Sequence, residues 1–298
     1  MKLLLGCDPE FVLKNPNSGK FVSAEGIVPG DKLNPHKVKK GTVQVDGFAC
    51  EIGIEPAKSS EEFADNVETV LEELKKFTGG YEHVYPLDHV VFDKDVFSGQ
   101  SEKGQELGCD PDFNAYSRLA NPTPVPNPKT LRVFAGHIHI GWTEGEDVTS
   151  VGHFMDCVSV IKQMDCYIGA PSLAWNRGIV RRSMYGRAGD FRVKPYGVEY
   201  RTPDNGWLSS RDRMKMVFDN AVAGMKALYD NKHAYNGWDK ICEGGINTGN
   251  YEALIRHLQK HGISHEPLKP MKPVKTTVKR AQEMEAAFQR TEQLLRRA

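Results

Sequence analysis

Four stretches of this chain alternate apolar and polar residues. Each sets two charged or metal-ligating side chains at i and i+2, or in one case i and i+4, opposite an apolar stripe. They carry Asp8 and Glu10 (LLLGCDPEFVL), Glu51 and Glu55 (ACEIGIE), His137 and His139 (GHIHIG), and Glu199 and Arg201 (GVEYR). A period of two means a strand with one buried face. In the first stretch Leu3, Leu5, Cys7, Phe11 and Leu13 fall on one side, and Asp8, Glu10 and Lys14 on the other. If the four strands share a sheet, it has an apolar back and a polar front. Solvation alone does not require carboxylate and imidazole to gather on that front; a cation site does.

Other segments fill in the frame. Asp46-Gly47 reads as a two-residue hairpin turn, pairing Val45 with Phe48, Val43 with Cys50 and Thr42 with Glu51. One face then holds Val43, Val45, Phe48, Cys50, Ile52 and Ile54. Phe21 to Ala24, residues 86–93, Leu131 to Trp142 and Tyr196 to Arg201 read as strands. Ser59 to Phe77 is expected to be a helix, with Ser59 and Glu62 as its capping box and Gly79-Gly80 as its end. Further helices are expected over Val148 to Ile168 and Ser209 to Tyr229, the latter capped by Ser209. Residues 119–129 are proline-rich loop, and 171–195 read as irregular and rich in glycine and arginine. The fold class is α+β, with residues 1–265 as the core. Residues 266–298 are a Pro/Lys linker and a charged helix, Lys279 to Arg297, outside it.

Composition removes some functions. Among 298 residues, 39 Lys and Arg balance 39 Asp and Glu, so no bulk field draws the chain to nucleic acid or membrane. The opening MKLLLG is too short for a signal-peptide apolar region, and no stretch reaches the ~18 apolar residues of a membrane span. The expected setting is the cytoplasm. The six cysteines form no CxxC pair and read mostly as small core residues.

Carboxylates converging on one face raise one another's pKa unless cations neutralise them. Oxygen donors with an occasional imidazole suit Mg²⁺ or Mn²⁺ better than zinc. Arg177, Arg181, Arg182, Arg187, Arg192 and Arg201 then supply planar forks for phosphate. Metals and arginines around one cleft point to phosphoryl transfer from a nucleotide. Each element alone has a plainer reading: a solvated strand face, a lone His-x-His, a surface Glu–Arg pair, an exposed arginine loop. Their shared polarity on four strands favours the site.

Those four blocks, in order, resemble the glutamine synthetase superfamily of carboxylate–amine ligases. GCDPEFVL resembles its first acidic strand, the hairpin ending in Glu51 its Gln-x-Glu strand, GHIHIG its His-x-His strand, and VEYRTPDNGWL its Glu-x-Arg-x-Pro-Asp strand. The layout over residues 1–240 most resembles the bacteriophage-encoded carboxylate–amine ligases. The resemblance implies a curved antiparallel sheet, a half-barrel with helices on its apolar back. It implies Asp8, Glu10, Glu51, His137 and Glu199 as ligands of two or three Mg²⁺ (or Mn²⁺) ions, and His139 and Arg201 as contacts to ATP phosphates. Arg182, Arg187 and Arg192 lie where the family binds phosphate and substrate carboxylate. Asp8 stands where a glutamate is usual, which shortens its reach. The implied reaction joins a small-molecule or peptide carboxylate to an amine through an acyl phosphate, in the host cytoplasm if phage-encoded.

Other readings are a carboxylate or guanidino kinase, a metal-dependent hydrolase using His-x-His, and a non-catalytic binding protein. The substrates and the oligomeric state are not written in the sequence. The first block also has an echo: GCDPDF at 108–113 repeats GCDPEF at 6–11. Lying before a proline-rich loop, the echo is expected to build a turn and cap. The other reading gives Asp110 or Asp112 a role in binding the amine.

Overall fold

In the computed structural model, the structure describes residues 3–106 and 112–266. The strands are β1 (Leu4–Lys14), β2 (Phe21–Val22), β3 (His36–Val38), β4 (Gly41–Asp46), β5 (Ala49–Ile54), β6 (Glu82–Val84), β7 (His89–Val91), β8 (Phe113–Asn114), β9 (Leu131–Val133), β10 (Gly136–Gly141), β11 (Asp190–Lys194) and β12 (Gly197–Tyr200). The longer helices are α1 (Ser60–Thr78), α2 (Val151–Met164), α3 (Arg211–Tyr229), α4 (Asp239–Thr248) and α5 (Tyr251–Lys260). The class is α+β.

One open antiparallel sheet runs β3-β4-β5-β1-β10-β12-β11-β8, with β2 and β6 also paired to β1; β7 and β9 pair separately. The four motif strands are therefore contiguous, as β5-β1-β10-β12. Their registers put Glu10 opposite Glu51, Asp8 opposite His137, and His139 opposite Glu199. The apolar set faces the other way. Leu5, Cys7, Phe11, Cys50, Ile52, Ile138, Ile140, Phe191 and Val198 are all buried. Helix α1 covers β4 and β5, and α2 covers β11 and β12.

The β4–β5 hairpin differs from the expected register by two residues. Val45 pairs with Cys50 and Asp46 with Ala49, so Gly47-Phe48 form the turn. Gly47 has φ 57° and Phe48 is not in the positive-φ region, the type II′ pattern that asks for glycine first. Phe48 leaves the ladder for an aromatic cluster with Phe92, Phe97 and Phe134. A slip of two keeps every side chain on its face, so the expected apolar stripe survives.

The strand expected over Leu131 to Trp142 is two strands. β9 pairs with β7, then Phe134 turns into the aromatic cluster and β10 pairs with β1. The break places the Ala135 amide 3.0 Å from Glu10 Oε2, to which it donates. The segment read as irregular contains β11, which carries Arg192. Ser59 caps α1 by accepting from the Glu62 amide, and Gly79 follows its end. The Glu62 carboxylate reaches the Lys58 amide, one residue before the partner of a capping box. Ser210, not Ser209, caps α3; Ser209 ends a 3₁₀ turn, its hydroxyl donating to the Gly206 carbonyl. Helices α4 and α5 were not expected. α2 continues into a π turn, Asp165–Gly169. Asp110, most of the Pro/Lys linker and the charged segment Lys279 to Arg297 lie outside the described residues. Among the described residues no helix is long and apolar enough to cross a membrane.

Candidate active site on the polar face of the sheet

Antiparallel registry stacks the polar side chains of neighbouring strands on one face. A cleft above that face is lined by Asp8, Glu10, Asp46, Glu51, His137 and Glu199, with Lys32, Arg132, Arg181, Arg192 and Arg201. Two groups of ligating atoms form within it. Asp8, His137 and Glu199 make one, and Glu10, Asp46 and Glu51 the other; within each group the atoms lie within 4.8 Å of one another.

In the first group His137 Nδ1 is 3.4 Å from Asp8 Oδ1 and 3.6 Å from Glu199 Oε1. Burial, then the Arg201 charge, push the His137 imidazole down to about 4, so it is neutral and able to ligate at pH 7. Asp8 Oδ1 is buried without a hydrogen-bond partner. Burial acts to raise the Asp8 carboxyl, but His139 and His137 outweigh it and hold it below the usual range. His139 Nε2 lies 3.0 Å from Asp8 Oδ2 without hydrogen-bond alignment.

In the second group the carboxylates outnumber nearby cations. Burial, then Asp46, push the Glu10 carboxyl up to about 8. Burial, then Asp8, Asp46 and Glu10, raise Glu51 well above the carboxylate range. Gln44 donates to Glu51 Oε1 at 2.7 Å. Three carboxyl groups gathered so closely, Glu10 and Glu51 held against their charge, are a donor set for a hard divalent cation. With the unpartnered Asp8 oxygen and one neutral imidazole beside them, the residues present fit Mg²⁺ or Mn²⁺.

Glu199 is the hub of the basic side. Arg192 Nη1 donates to both its oxygens at 3.0 and 3.1 Å, Lys194 Nζ is 2.8 Å from Oε2, and Arg201 Nη1 donates to Oε1. Burial acts to raise the Glu199 carboxyl; Arg201 and its neighbours override it and lower it well below the ordinary value. Arg201 is held from its other side by Asp112, whose Oδ2 accepts from Nε at 3.1 Å. From the second acidic copy, Asp112 therefore serves as a buried partner for a cleft arginine.

Of the residues expected from sequence, Asp8, Glu10, Glu51, His137, Glu199, Arg192 and Arg201 meet at the cleft. Glu55 does not: it is exposed, 3.6 Å from Lys40. His139 is not among the cleft residues; its Nδ1 is bound to the Tyr196 hydroxyl and its other nitrogen faces Asp8, so it stands behind Asp8. Arg182 and Arg187 are also elsewhere. Consecutive residues on a helical turn point about 100° apart, and on Ile179–Arg182 it is Arg181 that meets the cleft. Arg182 donates to the Arg177 carbonyl and lies beside Asp204. Arg187 is exposed, with Nε 3.3 Å from the Arg182 carbonyl. Sequence reasoning missed Asp46, Lys32 and Arg132 as site residues, and it did not see Asp112 as the partner of Arg201. For Asp46 the signal was present, an acid two residues beyond Gln44 on the hairpin strand.

A family model described as Phage phiEco32-like COOH.NH2 ligase-type 2 matches residues 127–291. The match takes in the His-x-His and Glu-x-Arg strands and ends before neither. No curated protein matches the chain.

Proposed function

As the chain belongs to the phage phiEco32-like COOH.NH2 ligase-type 2 family, we propose that it joins a carboxylate to an amine at the expense of ATP. The supporting observation is that two clusters of ligating side chains and several arginines share one cleft. The wider kinship with glutamine synthetase-like enzymes belongs to this proposal, supported by the order of the four motif strands.

Asp8, His137 and Glu199 would hold one divalent cation, and Glu10, Asp46 and Glu51 another. Such ions, when bound, would neutralise the nucleotide phosphates and the charge that develops during transfer. In the first step a substrate carboxylate oxygen bonds to the γ-phosphorus and ADP leaves. In the second an amine bonds to the acyl carbon, phosphate leaves, and the amine nitrogen gives up its extra proton. Arg181, Arg192 and Arg201 orient the anionic groups. Glu199 and Asp112 fix Arg201 from two directions, so little ordering cost remains when phosphate arrives. His139 and Tyr196 hold the Asp8 carboxylate in place.

The test is ATP turnover with Mg²⁺ across panels of amino acids, polyamines and peptides, with mass spectrometry of products. ADP, phosphate and an amide are expected together. Glu10→Gln and Glu199→Gln should lower turnover at least a hundredfold, on the order of the loss of one electrostatic anchor. A stable phosphorylated product would mean a kinase. Turnover without ATP would mean a hydrolase and sink the ligase reading.

A further inference from the structure

Behind the sheet, three elements bring Cys166, Cys242 and His257 together. Cys166 lies on the π turn, Cys242 on α4 and His257 on α5. All three are fully buried. The thiols are free, with their sulfurs 3.4 Å apart. With a ring nitrogen of His257, the donor atoms lie within 4.8 Å of one another.

This spacing is not that of a disulfide, whose sulfurs stand about 2.05 Å apart. Two thiolates on one tetrahedral zinc, each about 2.3 Å from it, stand roughly 3.8 Å apart. The observed distance is close to the second value. His257 supplies the independent observation: it is fully buried, yet neither ring nitrogen has a hydrogen-bond partner. The Ala234 carbonyl is near enough to favour the charged ring but is not in hydrogen-bond geometry. Trp238 closes one side, its ring 4.1 Å from that of His257. A buried imidazole with no partner is costly, and a metal bond would satisfy it. Asp239 lies near Cys166 but outside this 4.8 Å group; its Oδ1 is buried without a partner, while Oδ2 is 3.2 Å from Lys162.

We propose that Cys166, Cys242 and His257 bind one structural Zn²⁺ ion through two thiolates and an imidazole, with water or Asp239 completing the tetrahedron. Binding releases the two thiol protons. Soft sulfur donors select zinc over the hard cations suited to the carboxylate face, so the two kinds of site do not compete. The ion would clamp α4 and α5 to the π turn. The adjoining Asp165 accepts from the Tyr200 hydroxyl at 2.6 Å, next to Glu199 on β12.

The test uses the full chain, purified with a phosphine reductant and no chelator. Elemental analysis is expected to find about one zinc per chain. After chelation, Co²⁺ added to the stripped chain should give thiolate-to-cobalt charge-transfer absorption and the visible bands of a tetrahedral site. Cys242→Ser and His257→Gln should lose stoichiometric zinc, whereas Glu10→Gln and Glu51→Gln should keep it. If the first two variants fail to fold, the cobalt spectrum of the unaltered chain decides. No zinc as purified with no thiolate–cobalt band overturns the proposal. So does full zinc retention in both Cys242→Ser and His257→Gln.

Discussion

Glu199 is nearly inaccessible, yet three cations surround it. A carboxylate can stay charged there only because those cations repay its desolvation. The same logic runs outward to Asp112, which exists in the site to hold Arg201. Asp112→Asn keeps an oxygen but removes the charge, and should cost about 2 kcal/mol in urea denaturation, the worth of a hydrogen bond to a charged group. Asp204 behaves oppositely. Burial pushes its carboxyl from 3.8 up to about 6, Arg182 offsetting part of the rise. The folded state thus keeps this proton to higher pH than the unfolded chain. Stability from this group is full below about pH 4 and lost as pH rises through about 6, by up to about 3 kcal/mol. Asp204→Asn should flatten that slope in denaturation measured from pH 4 to 7; an unchanged slope would refute the assignment. At this scale the residues of the polar face were legible: alternation turns Asp8, Glu10, Glu51, His137 and Glu199 away from the apolar side of their strands, and strand pairing then brings them together. The selection of Arg181 over Arg182, and the pairing of Asp112 with Arg201, were not legible. Which of two adjacent arginines faces a cleft depends on helical phase, and Asp112 reaches Arg201 only through tertiary packing.

Among elements, the strands were more legible than their ends. The break between β9 and β10 has no proline or glycine before Gly136 to announce it; the aromatic cluster that draws in Phe134 is tertiary. Gly136 itself sits where a Cβ would come within 2.2 Å of the Asp204 carbonyl oxygen and 2.4 Å of Trp207 Nε1. Gly136→Ala should therefore destabilise by about 3 kcal/mol, the upper range for overpacking, and, if the proposed Mg²⁺ site is right, should also weaken that binding by shifting His137. Calorimetry with Mg²⁺ reads the second effect. Ser59→Ala should cost only about 1 kcal/mol, the loss of one helix cap. α4 is hard to read from sequence because Gly244 and Gly245 interrupt its helical pattern. Its packing explains one of them: a Cβ on Gly245 would come within 2.8 Å of Leu254, so the glycine lets α5 approach.

For the whole molecule, the described fold is tied down almost to its last residue. Arg213 binds both oxygens of Glu266 at 2.8 Å, and Asn220 donates to the Ser264 carbonyl. A chain cut after Pro267 should keep its melting temperature, whereas one cut after Gly262 should melt several degrees lower, a ΔΔG of about 2 kcal/mol being worth roughly 4–8 °C in a domain of this size. Loss of the transition in the longer chain would show that the family match, which runs on to residue 291, marks a segment the fold requires.

The position of β1 has a consequence for how the protein is made. β1 is made before β10, and β10 before β12, so Asp8 must wait for His137, and His139 for Glu199. Until then its apolar side and open hydrogen-bonding edges have only their nearer partners. Long-range pairing of this kind folds slowly and leaves strand edges available to wrong partners. The nascent chain can therefore gather Glu10, Asp46 and Glu51 once β5 has been made, whereas Asp8, His137 and Glu199 come together only after β12.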